Sequence, residues 1–87
     1  HKFYLTHGHS FERHSIHSFI SATAKANECD IALFGHTHIP FYETIDGIHV
    51  FNPGSASSPR GRSEPSYGII TISDNGMLKF EHRIYEK

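Results

Sequence analysis

Two short histidine motifs carry most of the chemistry in this sequence: Thr6-His7-Gly8-His9 and Gly35-His36-Thr37-His38. Imidazole is the commonest protein metal ligand. A His-x-His pair in extended backbone sets two imidazoles on one face, roughly 6.5–7 Å apart. That separation is long for one shared ion and suits two ions about 3.5–4 Å apart, each holding one imidazole. Gly8 and Gly35 let backbone approach ions or substrate with no Cβ in the way. His7, His36 and His38 are therefore candidate metal ligands, and their spacing leans toward a dinuclear site. Two divalent cations need carboxylates to offset their charge. The acids here are Glu12, Glu28, Asp30, Glu43, Asp46, Glu64, Asp74, Glu81 and Glu86, all in helix, hairpin, loop or edge-strand contexts away from both motifs. Half of such a site is missing from the chain.

Other polar residues have plainer readings beside the chemical ones. Arg60, in the Ser-, Pro-, Gly- and Arg-rich loop 55–65, could clamp a phosphate oxygen with its planar fork, although a solvated loop arginine looks the same. Asn52 could donate to substrate or orient a site residue, yet Asn before Pro-Gly is first of all a turn former. His14 and His17 are read as an exposed helix face, and His1, His49 and His82 as surface residues. Cys29 lacks any surrounding nucleophile motif and reads as a small buried or helix-end residue.

These motifs must be positioned by the elements around them. Phe3-Tyr4-Leu5-Thr6 reads as a strand. Ile16, Phe19, Ile20, Thr23 and Ala24 follow a helical rhythm that starts near a Ser10 cap, with Glu12 in its first turn, and stops near Asn27. Ile31-Ala32-Leu33-Phe34 is an apolar run without alternation, as in a strand covered on both faces. A right-handed βαβ crossover puts both histidine motifs on one sheet edge. Asp46-Gly47, between 41–45 and 48–52, signals a type I′ hairpin. A second hairpin joins Tyr67–Ile72 to Leu78–Ile84 about Asp74-Asn75-Gly76. The order is β-α-β followed by two β-hairpins, read as four antiparallel strands. The implied class is α/β, with an α/β layer feeding a β-rich one.

With 87 residues, the chain holds at most one small domain. A formal charge of −1 gives no strong nucleic-acid signal. No apolar run approaches the ~20 residues of a membrane span. One cysteine excludes an intrachain disulfide, and no signal-peptide pattern opens the sequence, so a cytoplasmic location is expected.

Taken together, FYLTHGH (3–9), LFGHTHIP (33–40), the DG hairpin, FNPGS (51–55), SPR (58–60) and SYGII (66–70) resemble the calcineurin-like metallophosphoesterases. The likeness is to their small, YfcE-like phosphodiesterase branch. The resemblance covers nearly the whole chain. It implies a two-sheet αββα sandwich of which residues 1–87 are the C-terminal portion. It also implies phosphodiester hydrolysis by a metal-bound hydroxide at a dinuclear site. By matching position, His7 and His36 resemble the histidine ligands of one ion and His38 that of the other, while His9 is not a usual ligand and is a candidate to face the substrate, although a residue backing a ligand or starting the helix looks the same. With Asn52 and Arg60, His9 completes the candidate substrate-binding set, and no residue of this half is assigned as catalytic. Two divalent ions are implied, Mn²⁺ foremost, with Zn²⁺, Ni²⁺ or Fe²⁺ as alternatives. The family's Asp-x-His, Gly-Asp and Gly-Asn-x-Asp motifs do not occur here, in agreement with the charge count. The 87 residues alone are then expected to be inactive. The expected partner is a small phosphodiester, not a membrane; the oligomeric state stays open, an incomplete sandwich being compatible with a homo-oligomer or with poor solubility.

Two competing readings remain. The same fold includes a catalytically weak, retromer-type scaffold that binds proteins. Alternatively, three imidazoles and a water could hold one structural Zn²⁺.

Overall fold

Ile16, Ile20 and Ala24 recur one helical turn apart, and all three are buried. They fix the contact face of α1 (Ile16–Ala26). The helix ends in a Schellman turn: Cys29 N–H donates to Ala24 O at 2.9 Å, Glu28 N–H to Lys25 O at 3.0 Å, and Glu28 takes the left-handed conformation. The computed structural model describes residues 1–7, 16–35, 37–55 and 64–84. The expected Ser10 cap and Glu12 lie outside them.

The helix lies between β1 (Phe3–Thr6) and β2 (Ile31–Phe34), which pair in parallel, Phe3 opposite Ile31 and Thr6 opposite Phe34. The hairpin follows as expected, β3 (Phe41–Ile45) and β4 (Ile48–Asn52), with Asp46 and Gly47 both at positive φ. Its second arm, however, pairs in parallel with β2, giving the order β1-β2-β4-β3. Both expected hairpins are antiparallel, and the expectation is corrected in one respect: β4 has a second, parallel partner in β2. Turn chemistry identifies the hairpin, but the apolar Ile48-His49-Val50-Phe51 arm is central, where parallel pairing buries both of its faces. β5 (Ser66–Ile72) and β6 (Leu78–Ile84) form the second sheet.

Side chains alternate across the first sheet. Tyr4, Ala32, Phe34, Val50 and Phe41 meet the helix in the main core. The opposite face carries Leu5, Leu33, Phe51 and Tyr42, which share one register row. On this face the β5–β6 hairpin covers β3 and β4: Phe80 stacks on Tyr42 at a centroid distance of 4.5 Å and on His49 at 5.0 Å. His82 stacks on Phe51 at 4.7 Å. The hairpin leaves β1 open, with Leu5 69% exposed, and Leu33 is only half-buried, so β2 is not covered on both faces along its whole length. Between Leu5 and Leu33 on one sheet and Ile70 on the other lies an open cleft of about 570 Å³.

Four side-chain assignments change as well. Phe19, expected in the apolar stripe, is exposed, while Ser21 is buried and donates to Ile45 O at 2.8 Å. His17 is not on an open helix face: its ring stacks on Phe41 at 3.6 Å and meets the edge of Phe34. His49 packs between the sheets against Phe80 and pairs with the Tyr42 hydroxyl at 2.8 Å. His82, exposed as a residue, still reaches inward to the Asn52 carbonyl. Among the described residues no helix is long and apolar enough to cross a membrane.

Candidate functional site

The three parallel strands β1, β2 and β4 point the same way, so their carboxyl ends meet at one edge. In open α/β sheets this is where sites are built. His7 follows β1 directly, and Gly35 follows β2. Gly35 N–H donates to His7 O at 3.3 Å. The position a Gly35 Cβ would take is 4.0 Å from His7 Nδ1. The first histidine motif is therefore seated against the start of the second.

The backbone beyond Gly35 is bent. Thr37 N–H donates back to Gly35 O at 2.7 Å, and His38 has φ 59°, a left-handed conformation uncommon for a residue with a side chain. The extended geometry assumed for 36–38 does not hold at His38, so the 6.5–7 Å spacing argued from it has no structural support. His38 is half-buried and His7 exposed at the cleft rim. His36, His9 and Arg60 lie outside the described residues.

Asn52 ends β4 and is fully buried. Its Nδ2 donates to Gly35 O at 3.1 Å and to Thr37 Oγ1 at 3.0 Å, and its Oδ1 accepts Gly54 N–H at 2.9 Å. The amide expected to meet substrate is thus committed to the histidine loop and to its own turn. Around it, Ser66 Oγ donates to Pro53 O at 2.9 Å, and His82 Nε2 bonds Asn52 O at 2.7 Å. Because a carbonyl only accepts, His82 must carry its proton on Nε2 in this contact. Sequence reasoning misses Thr37, Ser66 and His82 as members of this edge. For Thr37 a signal exists, a hydroxyl between two histidines, whereas nothing local marks Ser66 or His82.

The donor set fits a metal only in part. Imidazoles sit at the edge, but among the described residues no group of three or more His, Cys, Asp or Glu could hold an ion. The nearest ionic pair along the sheet, His1 with Asp30 at 2.5 Å, is at the opposite, amino end of β2.

Residues 1–75 match the family model described as the calcineurin-like phosphoesterase superfamily domain. The chain belongs to the calcineurin-like phosphoesterase superfamily. A probable metallophosphoesterase of Mycoplasma pneumoniae is 43% identical over 76 residues, covering 83% of this chain and 48% of the relative. Phosphodiesterase YfcE of Escherichia coli is 38% identical over 77 residues, 88% of this chain and 36% of its own length. A predicted phosphoesterase from Streptococcus pneumoniae superposes with TM-score 0.71 at 31% identity, covering 90% of this chain and 54% of that one. Vps29 of Entamoeba histolytica, complexed with Zn²⁺, superposes with TM-score 0.64 at 24% identity over 93% of this chain and 53% of its own, a likeness of fold. The chain spans about half or less of the length of these curated relatives. The family implies divalent metals, and the two-sheet α/β architecture is the one its members share.

Proposed function

We propose that this chain is the C-terminal, histidine-bearing half of a metal-dependent phosphodiesterase domain, with His7 and His36 serving one divalent ion and His38 the other. The observation that carries this reading is the seating of His7 against Gly35 at the shared ends of β1 and β2. The carboxylates that would balance two cations belong to polypeptide outside these 87 residues, in line with the absence of a complete ligand cluster among the described residues. When bound, the ions supply Lewis acidity toward phosphoryl oxygens and lower the pKa of water. The chain's own part is to hold neutral imidazoles in place on a bent loop and to set the floor beneath them with β4. Mn²⁺ is the first candidate ion, a small phosphodiester the substrate and the cytoplasm the location. His9 and Arg60 are the substrate-side candidates.

The test compares this chain with the full-length protein that contains it. The full-length protein should carry two ions by mass spectrometry, hydrolyse an aryl phosphodiester in Mn²⁺, and lose turnover on His36→Ala. The isolated chain should be inactive. Turnover by the isolated chain that disappears with His36→Ala would overturn the half-site.

A second reading, a protein-binding scaffold, draws on the Vps29-like fold and the apolar cleft beside β1. An ion-free, inactive full-length protein would favour it.

A further inference from the structure

Every polar atom of the Asn52 side chain is spoken for, and two of its three bonds reach one loop. One Nδ2 hydrogen goes to Gly35 O, just before His36, and the other to Thr37 Oγ1, just after it. Thr37 Oγ1 also accepts the N–H of Ile39 at 3.3 Å, so the same hydroxyl bridges across His38 at its left-handed φ. A non-glycine residue in that region costs free energy and persists only where its surroundings over-determine it. The Asn52 amide and the Thr37 hydroxyl are part of those surroundings.

Asn52 is itself immobilised. Gly54 N–H fills its Oδ1, and His82 holds its main-chain carbonyl from the second sheet. At Gly54, φ is +85° and an added Cβ would meet Ser66 Oγ and Pro40, so this turn has no slack. A buried amide with both N–H donors committed has none left for a phosphate oxygen.

We propose that Asn52 is a positioning residue, acting through Gly35 and Thr37 to fix the backbone on either side of His36 in sequence and leading into His38, and that it does not contact substrate. The assignment rests on reading those histidines as metal ligands. Residues that orient ligands from behind typically contribute 10–100-fold in metal affinity.

Three variants of the full 87-residue chain test it by nuclear magnetic resonance, with Zn²⁺ alone as the probe. Asn52→Asp keeps the acceptor for Gly54 and loses both donors. Thr37→Val keeps the shape and loses the acceptor, whereas Thr37→Ser keeps the acceptor. Before metal is added, Asn52→Asp and Thr37→Val should move the amide signals of residues 35–39 and leave those of Ile20 and Val50 in place, with Thr37→Ser matching the parent. On titration the first two should bind Zn²⁺ roughly 10–100-fold more weakly, and Thr37→Ser should bind as the parent does. Variants that unfold earlier but keep the 35–39 signals and the Zn²⁺ affinity would overturn the proposal. If Asn52→Asp fails to fold, the Thr37 pair decides the question by the same two readouts. If the parent's imidazoles do not respond to Zn²⁺, the ligand reading fails by itself, and the metal-free signals still decide whether Asn52 holds the loop.

Discussion

Gly68 offers a direct probe of how the two sheets meet. A Cβ at this position in β5 would stand 2.5 and 2.6 Å from Cε2 and Cζ of Phe51, and 3.0 Å from Pro53 Cβ. Phe51 is buried and boxed by Tyr42 and Phe80, so its ring has little room to yield. Carbon–carbon contact becomes favourable from about 3.5 Å, and Gly68→Ala must therefore push the hairpin back by about 1 Å. Overpacking of this kind costs about 1–3 kcal/mol, offset by up to about 1 kcal/mol from removing a flexible glycine from a strand. A net loss of about 1–2 kcal/mol is expected, which at a urea slope of about 1 kcal/mol/M lowers the unfolding midpoint by about 1–2 M. Far-ultraviolet circular dichroism in urea reads it. Phe51→Leu removes the clashing ring edge, so the double variant should lose less than the two single losses together. Gly47→Ala is the control: it has the same left-handed strain problem as any turn glycine, but nothing lies within 4 Å of its Cβ, so it should show no coupling to Phe51. A Gly68→Ala protein as stable as the parent, or losses at 68 and 51 that simply add, would refute this packing of β5 on β4.

Two further outcomes follow from side chains already described. Burial against Phe34 and Phe41 lowers the His17 pKa from its ordinary 6.5, against a smaller upward pull from Glu43. The unfolded chain therefore takes up the proton first, so the His17 contribution is fully present above pH 6.5 and is lost as pH falls toward the depressed folded value. His17→Phe should flatten that part of the stability–pH curve, and an unchanged slope in urea titrations from neutral to mildly acid pH would contradict the packing. Leu5, exposed on the open edge strand, should drive concentration-dependent self-association of the isolated chain. Leu5→Lys should reduce it in sedimentation velocity, and equal association by both proteins would place the contact elsewhere.

Much of this fold is legible in local chemistry. The Asp46-Gly47 turn and the Ile16, Ile20, Ala24 spacing mark the hairpin and the helix face because each depends on a few neighbouring residues. What cannot be read locally is the partner of β4: His49, Val50 and Phe51 serve an antiparallel hairpin and a parallel ladder to β2 at once. The aromatic roles of His17, His49 and His82 are hidden for a related reason, since stacking depends on what a distant element lays over the ring. At the candidate site, the two histidine motifs and the shared edge are visible in the sequence. The bend at His38 and the inward commitment of Asn52 are not: the bend's short-range bonds among residues 35–39 carry no distinctive residue pattern, and the Asn52 bonds that brace it span 15 and 17 residues.

The site edge also dictates an order of assembly. His7 meets Gly35 only after β1 has found β2 across the intervening helix, and Asn52 reaches the loop only after β4 has zipped alongside β2. Parallel pairings of this kind close long stretches of chain before any contact rewards them, which makes them slow steps in folding. The histidine-bearing edge thus depends on the non-local, slowly closing pairings of the fold. A nascent or partly unfolded chain would present the same histidines without the edge geometry that the parallel pairings create.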